Sequence, residues 1–174
     1  ILDALDARKD VDGMTTWSLG ALVTGATGFA PCTAEACREL LRAHSIDPAG
    51  RRVTVVGRSL VIGRPAALLL TRADATVTLC HRKTPDLAAR CRAADILLAA
   101  AGAPGLITPE CVRPGQIVLD AGATALPDGT LRGDVTPAAA AIAACTPVPG
   151  GIGSVTTALL LRHTVQAAEK SHHF

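Results

Sequence analysis

Aromatic side chains are scarce in this chain of 174 residues, which has two Phe, one Trp and no Tyr. Its interior must therefore be built from Ala, Val, Leu and Ile. This composition suits buried parallel strands that are covered by Ala-rich helices. The length is sufficient for one good core, alone or with a small appendage.

Other absences exclude classes of function. A net charge of +2, with scattered arginines, is too weak for a nucleic-acid-binding surface. The six cysteines form no C-x-x-C pair and no signal peptide is recognisable, so we expect a cytoplasmic protein. The longest apolar run, 96–106, contains glycines and a proline and is too short to span a bilayer, so no membrane partner is expected. Asp10 and Asp12 alone are too few carboxylates to predict a metal site.

The most informative stretch is a strand–turn–helix pattern. A β-branched run ends at Gly57, continues through Arg58 and Ser59 to Gly63, and becomes an apolar helix. Such a turn can bring backbone N–H groups and the positive end of a helix dipole to a phosphate. A plain β-turn is the alternative, because Arg58 replaces the second glycine of the G-x-G-x-x-G fingerprint.

A second strand, 75–80, runs into the basic segment 81–84. In dinucleotide-binding units this place usually holds a carboxylate that accepts from the ribose 2′-hydroxyl. Its replacement by basic side chains predicts a ribose 2′-phosphate, and therefore NADP as the cofactor. Two alternatives stay open, a merely solvated strand end and NAD beside an inorganic phosphate. His81 is expected to pack or hydrogen-bond rather than to catalyse.

Strand and helix patterns alternate along most of the chain. They predict strands at 53–57, 75–80, 95–100 and 116–121, and helices at 33–46, 63–72, 85–93, 108–112, 136–144 and 155–170. Thr33 is the expected N-cap of the first helix, residues 1–30 read as a helix tail and a loosely patterned stretch, and 171–174 as a frayed tail. The fold class is therefore α/β, a doubly wound parallel sheet.

The loop 147–153 combines two prolines with three glycines just before a helix, which favours a binding loop over a simple connection. Small residues end two strands, at 99–105 and 119–123. They suit either the floor of a nicotinamide pocket or close helix–strand packing. Asp12 could accept hydrogen bonds from an aromatic heterocycle.

Several of these segments, taken in order, carry a family resemblance. The segments are 9–13, 31–33, 55–59, 75–81, 94–97, 133–135 and 146–153. Together they identify a resemblance, from about residue 5 to 170, to the bifunctional methylenetetrahydrofolate dehydrogenase/methenyltetrahydrofolate cyclohydrolase family. The resemblance implies a Rossmann-type domain with an incomplete second α/β domain, and usually a homodimer.

The resemblance also implies roles for individual residues. Gly57, Arg58 and Ser59 match the cofactor-phosphate turn, Arg82 the contact to the 2′-phosphate, and Ala123 the backbone beside the nicotinamide. Asp12 matches the aspartate that holds the pterin-like ring of a tetrahydrofolate adduct. The loop beneath the folate is matched by Pro149, Gly150, Gly151, Ile152 and Gly153. We expect this loop and Asp12 to meet on one side of the domain.

The implied activity is NADP-dependent oxidation of methylenetetrahydrofolate, followed by hydrolysis of the methenyl product to formyltetrahydrofolate. The expected division is a folate-binding remnant at 1–30, the NAD(P)-binding domain at 31–154 and a returning helix at 155–174. No Tyr-x-x-x-Lys motif occurs, and Lys9 does not replace its lysine, so no catalytic residue is assigned. We expect an inactive fragment of a longer protein. The alternatives are a non-catalytic dinucleotide-binding module or a different folate or amino-acid dehydrogenase.

Overall fold

The computed structural model describes residues 2–171. Five parallel strands form one sheet in the order β2-β1-β3-β4-β7, and a separate antiparallel hairpin pairs β5 with β6. The strands are β1 (Arg52–Val56), β2 (Thr76–Cys80), β3 (Ile96–Ala99), β4 (Ile117–Asp120), β5 (Thr124–Ala125), β6 (Leu131–Arg132) and β7 (Ala144–Cys145).

Helices cover both faces of the sheet. They are α1 (Thr16–Thr24), α2 (Cys32–Ala43), α3 (Gly63–Thr71), α4 (Leu87–Ala93), α5 (Pro137–Ala140) and α6 (Ile152–Ser171), with 3-10 turns at Leu2–Ala4, Ala7–Lys9 and Pro109–Cys111. Helix α6 packs along α2.

The two sides of β3 show why the sheet is buried on both faces. Ile96 and Leu98 belong to the core beneath α2 and α3, whereas Leu97 and Ala99 belong to the core beneath α4. Successive side chains of a strand point to opposite faces, so a run of apolar residues without alternation fits a sheet covered on both sides. The predicted α/β, doubly wound fold is confirmed.

The strand order creates a crevice. The chain passes from β1 through α3 to β2, then crosses back through α4 to β3 on the other side of β1. In open α/β sheets, ligands bind at such a reversal, outside the carboxyl ends of the strands. The crevice lies between the ends of β1 and β3.

The prediction for the N-terminal region was incomplete. Residues 1–30 had no predicted helix beyond a tail, yet Thr16–Thr24 form α1, capped by the Thr15 side chain. The helix was missed because its buried residues are only Ser18, Ala21 and Leu22, which give a weak apolar stripe. Helix α2 begins one residue before the predicted N-cap, Thr33, and Pro31 occupies the cap position.

Two C-terminal boundaries were also wrong. The predicted helix 136–144 ends at Ala140, and Ala144–Cys145 pair with β4 instead, because pairing with a strand edge overrides the helix preference of alanine. The closing helix begins at Ile152, not at residue 155. Gly153 is tolerated there because the first turn of a helix has few internal hydrogen bonds to lose. Helix α6 includes Ser171, and the rest of the predicted tail lies outside the described residues.

Within residues 2–171, the structure contains no helix with the length and apolar character that crossing a membrane requires.

Candidate dinucleotide-binding site

The phosphate turn, residues 57–63, is closed by backbone contacts that only glycine permits. Gly57 has a φ of +131°, and a Cβ there would overlap the Ala100 carbonyl at the end of β3. A Cβ on Gly63 would overlap the Gly57 carbonyl in the same way. The ends of β1 and β3 and the start of α3 are therefore pressed together at the crevice.

Ser59 shapes this turn with its own side chain. Its Oγ accepts from the backbone N–H of Ile62 at 3.1 Å and of Gly63 at 3.5 Å, and its carbonyl accepts from Arg64 at 3.0 Å. These first amides of α3 are thus used inside the turn. The Ser59 hydroxyl hydrogen, the Arg58 side chain and the helix dipole stay available to a phosphate.

Two predicted cofactor residues present their charges to solvent. Arg58 and Arg82 are exposed, and neither has an ion-pair partner within the part of the chain described. Arg82 lies in the turn after β2, and His81 stabilises this turn. The ring Nδ1 of His81 accepts from the backbone N–H of Lys83 at 3.1 Å, and the backbone N–H of His81 donates to Thr84 Oγ1 at 2.9 Å. The predicted hydrogen-bonding role of His81 is confirmed.

A cavity of about 450 Å³ opens at the carboxyl end of β4. Its floor consists of Asp120–Ala123 and the loop 147–153, and its walls include Ile62 from the phosphate turn and Leu131 from the hairpin. Ala123 and the five predicted loop residues (Pro149, Gly150, Gly151, Ile152 and Gly153) therefore line one space. A Cβ on Gly150 would meet no atom within 4 Å, so the backbone there borders open space.

Two buried aspartates, neither predicted as part of the site, fix the loops around the crevice. Asp134 accepts from the amides of Ala101 (2.6 Å), Gly102 (3.1 Å) and Ala103 (2.7 Å), the loop that follows β3. Asp120 accepts from the amides of Gly122, Asp134 and Val135 at 2.9–3.0 Å.

Burial raises the pKa of Asp120, although its three backbone donors oppose the shift. The sequence signal for this network is the Gly133–Val135 motif, which carries part of the family resemblance.

The Asp12 loop, residues 10–15, approaches the cavity from the N-terminal end of α2. Asp12 is exposed, and its Oδ1 accepts from the Cys32 amide at 3.3 Å. The next residue, Thr33, lines the cavity together with Gly151. Asp12 and the glycine-rich loop thus lie on the same side, as predicted from the sequence. Arg58 and Arg82 are not among the residues lining this cavity.

Asp10 holds the Asp12 loop from inside. Its carboxylate accepts from the Met14 amide (3.0 Å), the Thr15 amide (2.8 Å) and the Ser18 hydroxyl (2.6 Å). Burial alone would raise the pKa of Asp10, but these donors outweigh it and hold the pKa below its ordinary value.

The parallel sheet, the crevice at the strand reversal, the glycine-closed turn and the exposed arginines define a Rossmann-type dinucleotide-binding domain. The family model for the tetrahydrofolate dehydrogenase/cyclohydrolase, NAD(P)-binding domain matches residues 31–172, and the chain belongs to this family. The resemblance inferred from the sequence motifs is confirmed.

Relatives share both sequence and fold. The chain is 56% identical over 168 residues to bifunctional protein FolD 1 of Rhodococcus jostii, covering 95% of this chain and 57% of the relative. A solved structure of the bifunctional enzyme FolD, a methylenetetrahydrofolate dehydrogenase/cyclohydrolase from Campylobacter jejuni, superposes with a TM-score of 0.93 at 40% identity, covering 98% of this chain and 62% of that one.

The Trypanosoma brucei dehydrogenase-cyclohydrolase, solved with NADP cofactor and an inhibitor, gives a TM-score of 0.91 at 39% identity, with coverage of 99% and 62%. The chain therefore spans about three-fifths of the length of these relatives.

Proposed function

We propose that this chain binds NADP and forms the cofactor side of a methylenetetrahydrofolate dehydrogenase/methenyltetrahydrofolate cyclohydrolase. One observation carries the proposal: a glycine-closed phosphate turn and a cavity floored by small residues adjoin the same crevice in a member of this family. A non-catalytic dinucleotide-binding module is the second candidate, which the absence of tyrosine from the 174 residues favours.

The residues of this site fit a phosphorylated dinucleotide. Arg82 follows β2, where the adenosine ribose lies in such folds, and its exposed guanidinium would pair with a 2′-phosphate. Arg58 and the hydroxyl of Ser59 would contact phosphates from the turn. Ala123 is exposed on the cavity floor, where its lack of a large side chain would let the nicotinamide lie against the backbone.

The folate adduct would occupy the opposite side of the cavity. The exposed carboxylate of Asp12 would accept hydrogen bonds from the N–H groups of the pterin-like ring, and Pro149–Gly153 would lie beneath it. The methylene carbon of the adduct would then face the nicotinamide across the cavity. When bound, NADP supplies the acceptor for the hydride that leaves this carbon, and water then converts the methenyl product into the formyl product.

The protein's contribution in these residues is orientation. No group of the cavity is assigned as a general acid or base, so we propose that the 174 residues bind nucleotide without turnover. Positioned proton-transfer groups typically contribute about 10²–10⁴-fold to rate. Incubation of the chain with methylenetetrahydrofolate and NADP, followed by NADPH absorbance, tests the proposed lack of turnover. NADPH formation at a rate typical of enzymes would contradict the proposal.

We also propose a domain division, an oligomeric state and a location for this protein. Residues 1–30 would belong to a folate-binding domain and residues 31–154 to the NAD(P)-binding domain, and residues 155–174 would return to the folate-binding domain. Because α6 begins at Ile152, we move the boundary between the last two segments to 151/152. A homodimer and a cytoplasmic location are proposed from the family resemblance and the cysteine pattern. Light scattering of the purified chain would report the oligomeric state.

The cofactor proposal is tested by titrating NADP and NAD into the wild type and Arg82→Ala. Loss of a charged hydrogen bond costs about 1.5–3 kcal/mol, so NADP should bind about 10- to 100-fold more weakly while NAD is nearly unchanged. Arg42→Ala, an exposed arginine on α2, is the matched control and should alter neither affinity. Equal losses for both cofactors in Arg82→Ala would refute the assignment.

A further inference from the structure

His163 is a buried ionisable residue to which the proposed function gives no role. It lies on α6 with only 3% of its surface exposed and faces the Asp12 loop. Its Nδ1 lies 2.9 Å from the carbonyl oxygen of Val11, and its Nε2 lies 3.2 Å from a carboxylate oxygen of Glu35 on α2. The side chain therefore joins three segments that are far apart in the sequence.

The partners of the two ring nitrogens indicate the charge of the ring. The Val11 carbonyl accepts a hydrogen bond, so Nδ1 must donate to it, and the Glu35 carboxylate oxygen 3.2 Å from Nε2 favours a second proton there as an ion pair. Neutral imidazole has only one N–H, whereas the imidazolium has two. The other oxygen of Glu35 accepts from Arg162 Nη2 at 2.7 Å, which favours the ionised carboxylate.

The neighbouring thiol does not replace the Nδ1 donor. Cys32 Sγ lies 3.5 Å from Nδ1 and 3.6 Å from the Val11 carbonyl. Burial, reinforced by Asp12, raises the pKa of this thiol to about 12, so it stays protonated and can donate weakly to either atom. A thiol donating to a bare Nδ1 would leave the 2.9 Å contact between Nδ1 and the carbonyl as a repulsion between two lone pairs.

The ring face also suits a cation. Phe29 stacks on His163 with ring centroids 4.5 Å apart and planes inclined by 27°. A cation over an aromatic face within about 6 Å of the centroid is attracted by the quadrupole of the ring. Glu35, Cys32 and Phe29 thus form one environment that suits a charged imidazole.

We propose that His163 is doubly protonated in the folded chain and is a positioning residue for Asp12. Val11, whose carbonyl receives the Nδ1–H, lies between Asp10 and Asp12, and Asp12 is fixed on its other side by the Cys32 amide. The imidazolium therefore ties the Asp12 loop to α6 and α2 at once. That the positioned carboxylate serves a folate ring rests on the proposed function; the charge state and the tie do not.

The charge state is tested by ¹H–¹⁵N correlation NMR of the ring nitrogens at neutral pH, with the full 174-residue chain. The wild type should show two protonated nitrogens for His163. Glu35→Gln should leave one, because a glutamine amide can donate to Nε2 while Nδ1 keeps its proton for Val11. Glu39→Gln is the matched control, since Glu39 contacts Arg162 at 3.9 Å and has no contact with His163. A non-protonated nitrogen in the wild type would overturn the proposal.

The positioning role is tested without ligand by amide hydrogen exchange of Cys32, whose N–H donates to Asp12. We expect exchange about tenfold faster in His163→Gln than in the wild type and Glu39→Gln, since the hydrogen bond from the charged Nδ1–H to Val11 is lost. Glu35→Gln should give a smaller increase, because its neutral imidazole keeps a weaker form of that bond. Unchanged exchange in both variants would overturn the positioning role. Because no nucleotide or folate is used, failure of the NADP titration cannot produce these results.

Discussion

The phosphate turn and the Asp12 loop border the same site but are held in opposite ways. In the phosphate turn, Gly57 and Gly63 bring main chains into contact, while Arg58 points to solvent. In the Asp12 loop, side chains do the holding: Asp10 from within and His163 from α6. The phosphate turn thus leaves the Arg58 guanidinium unpaired within residues 2–171, so that it is available to an anionic ligand. The Asp12 loop instead uses contacts within the protein to fix the exposed carboxylate of Asp12.

The same contrast separates the charges of the two regions. Around the Asp12 loop, Glu35 pairs with Arg162 and His163. Around the phosphate turn, the described residues offer Arg58 and Arg82 no carboxylate. Unpaired cations at strand ends are what binding of a phosphorylated cofactor requires, because an internal carboxylate would compete with the phosphate.

The largest effect is expected where backbone closure leaves no room. Gly57→Ala places a Cβ on the Ala100 carbonyl at a φ of +131°. Backbone strain of about 1–3 kcal/mol and overpacking of similar size should lower the free energy of unfolding by about 3 kcal/mol or more. Urea denaturation measures this.

Gly115→Ala provides the control for that substitution. Gly115 also has a positive φ, +76°, but a Cβ there meets no atom within 4 Å. Gly115→Ala should lower the free energy of unfolding by only about 1–2 kcal/mol. Similar losses at both positions would show that close approach of the main chains does not hold the phosphate turn.

The next effect concerns the side chains of the Asp12 loop. Asp10→Asn keeps one acceptor oxygen but turns an NH₂ group toward the amide donors, so stability should fall by about 2–3 kcal/mol. Asp12→Asn is the control in the same loop, since Asp12 is exposed and accepts a single bond from Cys32. Asp12→Asn should lower the free energy of unfolding by less than about 1 kcal/mol. If the two variants lost equal stability, Asp10 would not be what holds the loop.

Much of the fold follows from local sequence, because β1, β3 and β4 are apolar runs whose neighbours form amphipathic helices. Helix α1 did not follow, since tertiary contacts of Ser18, Ala21 and Leu22 stabilise it without a strong apolar stripe. The segment 141–145 also did not follow, because alanine favours a helix until the edge of β4 is available.

The site divides in the same manner. The exposed positions of Arg58 and Arg82 could be predicted, because each lies two residues after the end of a strand and its place is fixed by local sequence. Asp134 and His163 could not be assigned, because their partners, Ala101 and Val11 among them, are brought together only by the tertiary structure.

A smaller effect should appear in the pH dependence of stability. The pKa of Asp10 lies below its ordinary value of 3.8 in the folded chain, so its stabilisation is complete above that pH and is lost as the pH falls through the folded value. The pKa of Asp120 is raised by burial, so its contribution is present below 3.8 and is lost as the pH rises through the folded value.

Thermal midpoints of the wild type, Asp10→Asn and Asp120→Asn, measured through the acidic range, distinguish the opposite pH dependences of the two carboxylates. As the pH falls, the difference in thermal midpoint between the wild type and Asp10→Asn should become smaller. The difference in thermal midpoint between the wild type and Asp120→Asn should become larger. Differences that change in the same direction would contradict the opposite environments of the two carboxylates.

The most direct test of the contrast is to follow backbone amide resonances of the 174-residue chain during titration with NADP. The account predicts saturable shifts in the phosphate turn, around Arg82 and around Ala123, and unchanged resonances at 10–15, because the Asp12 loop is already fixed by Asp10 and His163. NAD should leave the resonances around Arg82 nearly unchanged. Shifts concentrated at 10–15, with none in the phosphate turn, would contradict the assignment of the cofactor site.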